Sequence, residues 1–238
     1  MSQDQVNDRS NELITKNNPK SPVSEAFRSI RTNLSFLSPD NPLNNILITS
    51  SGASEGKSLV LTNLAISIAQ NDQKVIIIDA DLRKPMLHRF FGMTNFNGLS
   101  NILTDEITFE EALRETDTKN LSMISTGVMP PNPAELLSSK KMEFVLDKAE
   151  KEADVVLMDS PPAIAVTDAV ILSNKVDGVI IVVASHETHR DMLVATKDKL
   201  KKAHANIIGT ILNKYPVQKS KGYYYNQYYY YYGSNREA

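Results

Sequence analysis

Cysteine is missing from the chain altogether, although the chain runs to 238 residues. That excludes a disulfide framework and a thiolate metal site, and it fits a reducing compartment. Long apolar runs are missing too. No stretch approaches the ~20 residues needed to cross a bilayer, and the N-terminal segment MSQDQVNDRSNELITK lacks the apolar centre of a secretory signal. The expectation is a soluble intracellular protein whose membrane role, if it has one, comes through a partner. Neither sign of charge dominates: 26 Lys and Arg stand against 28 Asp and Glu, so no global field calls for nucleic acid. The four histidines, His88, His186, His189 and His204, lack the spacing and carboxylate company of a metal site. His186 and His189 are read as solvent-exposed.

What is present alternates. Residues 1–20 are polar and read as a flexible arm. Ser21 and Pro22 suit a helix cap and first turn. Val23, Phe27, Ile30, Leu34 and Leu37 then recur at helical spacing, a stripe expected to dock on the core before the Pro39–Pro42 turn. Strand-like runs follow at 45–50, 75–80, 121–125, 155–159, 178–184 and 207–213, separated by amphipathic segments. Strands apolar on both faces, alternating with helices, predict an α/β fold with a parallel central sheet covered on both sides. The boundaries expected are an arm over 1–20, one domain over 21–214 and a tail over 215–238.

The first strand runs into SGASEGKS, residues 51–58, and then a helix. This fits the phosphate loop G-x-x-x-x-G-K-[ST], with Ser51 in place of the first glycine and Gly52 beside it to supply backbone freedom. Ser51, Gly52, Ala53, Ser54, Glu55 and Gly56 would turn their N–H groups around phosphates. Lys57 would reach the β and γ phosphates, and Ser58 would ligate Mg²⁺. Two later strands end in aspartate, with Asp79 and Asp81 in IIIDADLR and Asp159 in VLMDSPP. Ligands of open parallel sheets bind beyond the carboxyl ends of strands, so all three carboxylates belong beside the phosphate loop. Asp159 reads as the Mg²⁺-side carboxylate. Asp79 and Asp81, two apart on extended chain, would enter one site, where Mg²⁺ neutralises them or one acts as base.

Eight of the nine tyrosines fall at Tyr223, Tyr224, Tyr225, Tyr228, Tyr229, Tyr230, Tyr231 and Tyr232, in a tail without aliphatic partners. Such a tail cannot offset the entropy of ordering it, and exposed phenols are acceptors for phosphoryl transfer.

Together these motifs resemble the bacterial tyrosine kinases (BY-kinases) that regulate capsular and exopolysaccharide synthesis, and among them the separate cytoplasmic kinases of Gram-positive CapA/CapB-type systems. The resemblance covers nearly everything after residue 20. It implies a P-loop NTPase fold, ATP and Mg²⁺ as cofactors, and autophosphorylation of the tyrosine cluster. Lys57, Asp79 and Asp81 are implied as the catalytic set, with Asp79 favoured as nearest the acceptor or metal water. Ser58, Asp79, Asp81 and Asp159 are implied as the metal environment, and Asn213, ending the last strand, as an adenine-side residue. Arg83 and Lys84 would hold phosphate or a neighbouring subunit, or form a solvated basic turn. Glu25, Arg28 and Arg31 form E-x-x-R-x-x-R, which the family uses for subunit contacts, and all three are placed on the outward arc of their helix. The partners implied are a short transmembrane adaptor (CapA-like), further copies in a homo-oligomeric ring (an octamer), a cognate tyrosine phosphatase and protein substrates of polysaccharide synthesis. The location implied is the cytoplasm, at the inner face of the membrane.

Two readings compete. Partitioning ATPases of the MinD/ParA type share the architecture, but carry a second lysine where this chain has Gly52. A nucleotide-gated scaffold would bind ATP and transfer nothing.

Overall fold

A computed structural model describes residues 8–37 and 43–216. The tyrosine cluster and the Pro39–Pro42 turn lie outside the described residues. Seven strands form one sheet: β1 (Asn45–Ser50), β2 (Val75–Asp79), β3 (Arg114–Glu115), β4 (Leu121–Ile124), β5 (Val155–Asp159), β6 (Gly178–Ala184) and β7 (Ile207–Asn213). Their order is β3-β4-β2-β5-β1-β6-β7. All neighbours are parallel except β3, a two-residue antiparallel edge on β4 that the sequence pattern did not announce.

Side-chain alternation along each strand divides the core into two layers. Ile46, Ile48, Val75, Ile77, Leu157, Ile180 and Val182 pack on one face against α3 (Lys57–Ala69), α4 (Leu87–Phe90) and the N-terminal helices. Leu47, Ile76, Ile78, Val156, Met158, Val179 and Ile181 pack on the other. That second face is covered by α5 (Leu99–Leu103), α6 (Phe109–Ala112), α7 (Pro133–Ser138), α8 (Lys140–Glu152), α9 (Asp168–Ser173) and α10 (Arg190–Lys202). The amphipathic stretch over 133–152 forms two helices, because Ser139 takes an extended backbone and caps α8 by accepting the Met142 N–H.

The N-terminal segment departs from expectation. From residue 8 it is packed rather than a free arm: a short turn leads into α1 (Ile14–Asn17), Leu13 and Thr15 are fully buried, and the Thr15 N–H donates to Asn63 Oδ1 at 2.9 Å. The helix α2 (Pro22–Leu37) starts as expected, with Ser21 Oγ accepting the Ser24 N–H. Its apolar stripe docks only in the middle. Phe27 is buried and Ile30 and Leu34 are half-buried, while Val23 and Leu37 at the two ends are exposed.

This topology places β5 between β1 and β2. The strand ending in Asp159 therefore lies between the strand that feeds the phosphate loop and the strand that ends in Asp79.

Candidate active site

The loop from Ser51 to Gly56 joins β1 to α3. Its left-handed positions are Ser54 (φ 63°) and Gly56 (φ 88°), so Gly52 does not supply the unusual backbone that its position suggested. Glycine is required at 56 for a second reason: a Cβ there would sit 2.2 Å from Asn213 Nδ2. That same Nδ2 donates to the Glu55 carbonyl at 2.9 Å, fixing the end of β7 against the loop. No side chain caps α3, so its first N–H groups face the loop's concavity with the positive end of the helix behind them.

Lys57 Nζ lies 3.1 Å from Asp81 Oδ2, 3.3 Å from both Asp159 oxygens and 3.3 Å from Ser58 Oγ. The Ser58 hydroxyl donates to Asp159 Oδ2. Asp81 Oδ1 accepts the N–H groups of Arg83 (3.3 Å) and Lys84 (3.0 Å). Asp79, directly opposite Asp159 in the β2–β5 register, is turned elsewhere. Its Oδ2 accepts the N–H groups of Met86 and Leu87, both at 3.0 Å, and it makes no hydrogen bond to Lys57 among the described residues. Asp81 holds the lysine, and Asp79 ties down the turn that presents Asp81. Asp81 stands two residues beyond the end of β2, after Ala80, whose N–H donates to the Ile78 and Asp159 carbonyls at 3.1 and 2.9 Å, so alternation along a straight strand does not place it.

Electrostatics follow from three buried carboxylates around one ammonium. Burial pushes the Asp79 carboxyl up to about 7, and the Asp159 charge adds to this, while the Leu87 N–H and Lys57 pull the other way. Burial likewise holds Asp159 above the ordinary carboxylate range, against the opposing pull of Lys57 and the Ser58 hydroxyl. Desolvation opposes the charge on Lys57, but Asp159, Asp81 and Asp79 outweigh it and its pKa is raised. The site is thus short of positive charge. Asp79 Oδ1 and Ser51 Oγ are buried without a hydrogen-bond partner among the described residues. The Ser58 and Asp159 oxygens beside the first N–H groups of α3 fit a magnesium–nucleotide pair.

Three contacts had no clear signal in the sequence. Glu55 is buried inside the loop, where Oε2 accepts the Ser51 N–H (2.8 Å) and Oε1 the Thr188 hydroxyl (2.5 Å). An acidic residue in a loop built for anions was the only hint. Arg83 does not hold phosphate in this geometry: it forks onto buried Asp168 of α9 at 2.8 and 3.0 Å. Lys84 is exposed, as a solvated turn requires. Arg28 pairs with Glu25, but Arg31 is not on the outward arc. Its Nη1 donates to the Ser67 carbonyl at 2.7 Å, near the C-terminal end of α3. His186 and His189 are exposed, as expected.

Fold and site define a P-loop NTPase, and comparison with known proteins narrows this. The family model for ParA, described as NUBPL iron-transfer P-loop NTPase, matches residues 42–234. The tyrosine-protein kinase YwqD of Bacillus subtilis is 40% identical over 214 residues, covering 89% of this chain and 90% of its own. The putative tyrosine-protein kinase CapB of Staphylococcus aureus is 35% identical over 212 residues, covering 89% and 93%. Among solved structures, the chimerical protein CapA2B2 matches with a TM-score of 0.84 at 35% identity, over 88% of this chain and 92% of that one. The kinase domain of Escherichia coli ETK gives 0.81 at 32%, over 89% and 84%. The septum site-determining protein MinD of Pyrococcus horikoshii, at 24% identity and a TM-score of 0.63, shares the fold alone. The chain belongs to the bacterial tyrosine kinases and is a protein-tyrosine kinase.

The Asp79 environment has a consequence for stability. The unfolded carboxyl ionises near pH ~4, while the folded one keeps its proton to about 7, so the folded state binds more protons in between and stability falls as pH rises. Asp79→Asn keeps an acceptor for the Met86 and Leu87 N–H groups and removes this titration. Urea unfolding of the nucleotide-free protein between about pH 5 and about pH 7 should show a shallower decline in the variant; an unchanged slope would refute the assignment.

Proposed function

We propose that this kinase autophosphorylates its C-terminal cluster, Tyr223–Tyr225 and Tyr228–Tyr232, using ATP and Mg²⁺, and that this regulates capsular or extracellular polysaccharide synthesis. The observation that carries the reading is Lys57 held between Asp81 and Asp159 at the mouth of the phosphate loop. ATP, when bound, supplies the phosphoryl group, and its Mg²⁺ offsets the charge of the neighbouring carboxylates. The loop N–H groups and Lys57 then orient the phosphates, with Ser58 and Asp159 on the metal side and Asp79 behind them. Once Lys57 turns to phosphate, Asp81 is left as a carboxylate with two backbone donors, placed to accept the phenolic proton of an incoming tyrosine. Asn213 is the adenine-side residue of this reading, since it ends β7 and already touches the loop at Glu55.

Transfer occurs in trans, within a ring of copies joined through the α2 surface around Glu25 and Arg28. Arg31 contributes there by holding α2 to α3. Val23, Phe36 and Leu37, exposed near the ends of α2, are available to that surface. No helix among the described residues is long and apolar enough to cross a membrane. The kinase is cytoplasmic in this reading and is brought to the membrane face by a short transmembrane adaptor that also activates it. A tyrosine phosphatase resets the tail, and proteins of polysaccharide synthesis are further substrates. The partitioning alternative is disfavoured by Gly52, which stands where that reading needs a second lysine.

Incubation of the full chain with Mg-ATP and the adaptor's cytoplasmic segment, followed by phosphotyrosine mass spectrometry, should find phosphate on the tail. The Lys57→Met variant should lose it with the fold intact; a modified tail in purified Lys57→Met would sink the assignment. Replacing Glu25, Arg28 and Arg31 together by alanine should give monomers by light scattering, and an unchanged mass would count against the ring.

A further inference from the structure

Beside the carboxylate end of the site lies an apolar surface with no role in nucleotide chemistry. Phe96, Val128 and Met129 are 76%, 60% and 61% exposed. They belong to two loops that are locked together: Asn95 Nδ2 donates to the Gly127 carbonyl at 3.0 Å, and the Gly127 N–H donates back to Asn95 Oδ1 at 3.1 Å. Ser125 Oγ donates to the Asn97 carbonyl at 3.0 Å, and Arg114 reaches both Thr94 and Ser125. Glycine is needed at 98, because a Cβ there would meet the Ser125 carbonyl oxygen at 2.1 Å. The pair of loops is fastened to the catalytic strand through Thr126, whose hydroxyl donates to the Asp79 carbonyl at 3.0 Å. The three apolar side chains therefore stand on a rigid ledge at the carboxyl end of β4, the strand next to β2.

We propose that this ledge is the docking surface for tyrosines of the tail, holding one or two phenol rings beside the ring presented to Asp81. The inference rests on the reading above, in which the tail is the acceptor. Three observations select this occupant. The ledge is apolar and aromatic, and the chain's own aromatic residues are concentrated in residues 223–232. A run such as Tyr228–Tyr232 offers neighbouring rings to a surface beside the site, which an isolated tyrosine cannot do. Length is also sufficient. Tyr228 lies twelve residues beyond Pro216, and an extended chain covers roughly 40 Å over that distance. Five strand intervals separate β7 from β4, about 24 Å at the usual spacing. In the ring read above, the same length of chain is available to the tail of a neighbouring copy. The ledge gives the clustering of the tyrosines a purpose, since each ring not being modified helps to hold the one that is.

The test uses full-length enzyme and, as substrate, a mass-tagged full-length Lys57→Met chain with an intact tail. Phe96→Ser, Val128→Ser and Met129→Gln combined should raise the substrate concentration giving half-maximal phosphorylation by about ten-fold, the scale of one or two lost aromatic contacts. Mg-ADP binding and oligomer mass should not change, and Phe96→Trp alone should stay near wild type. An unaltered concentration dependence in the triple variant overturns the ledge. A triple variant that changes oligomer mass also overturns it, by showing that the surface packs against the body of another copy. A wild-type enzyme that leaves the tagged tail unmodified is a different result, which removes the acceptor reading and the ledge's role with it.

Discussion

Lys57 is the single cation set among three buried carboxylates, and most of the described architecture serves to keep it there. A buried carboxylate without a partner is costly; Asp81 and Asp159 share one ammonium, with buried Asp79 beside them. Asp159 is directed inward by lying in the strand between the other two functional strands. Asp81 is turned toward Lys57 by the N–H groups of Arg83 and Lys84, while the Arg83 side chain is anchored on Asp168. Asp79 stays buried and fastens the following turn through the Met86 and Leu87 N–H groups. In the proposed reading Mg²⁺ supplies the positive charge this cluster lacks, and the nucleotide it accompanies supplies the phosphates that Lys57 is placed to meet.

The loop itself is braced from the far side of the sheet. Glu55 joins the Ser51 N–H to Thr188, and Asn213 joins the end of β7 to the Glu55 carbonyl. The segments after β6 and β7, far away in sequence, thus hold the loop open without entering it. Strain at Ser54, a non-glycine residue in the left-handed region, persists because its neighbours are fixed in this way.

Much of this was legible in the sequence, and the parts that were not share a cause. All six long strands were visible because buried parallel strands must be apolar on both faces, and that signal is local. The phosphate loop, Asp159 and the Asp79–Asp81 pair were visible because each ends such a strand. The roles within the pair were not, since a single bend after Asp79 decides which carboxylate meets Lys57. Arg31 read as an outward charge because helical spacing locates a side chain's origin but not the carbonyl of α3 that its long arm reaches. Residues 8–20 looked like a free arm because their composition is polar, yet Leu13 and Thr15 are enough to anchor them on α3. Contacts such as Glu55 with Thr188 join residues that no short-range pattern links.

The carboxylates around Lys57 call for a magnesium ion beside the nucleotide. Calorimetric titration of the full chain with ADP, with and without Mg²⁺, measures this directly. Binding should depend strongly on Mg²⁺ and weaken sharply when the metal is chelated. Equal affinity in the two conditions would contradict it, because the three aspartates would then have no need of a cation.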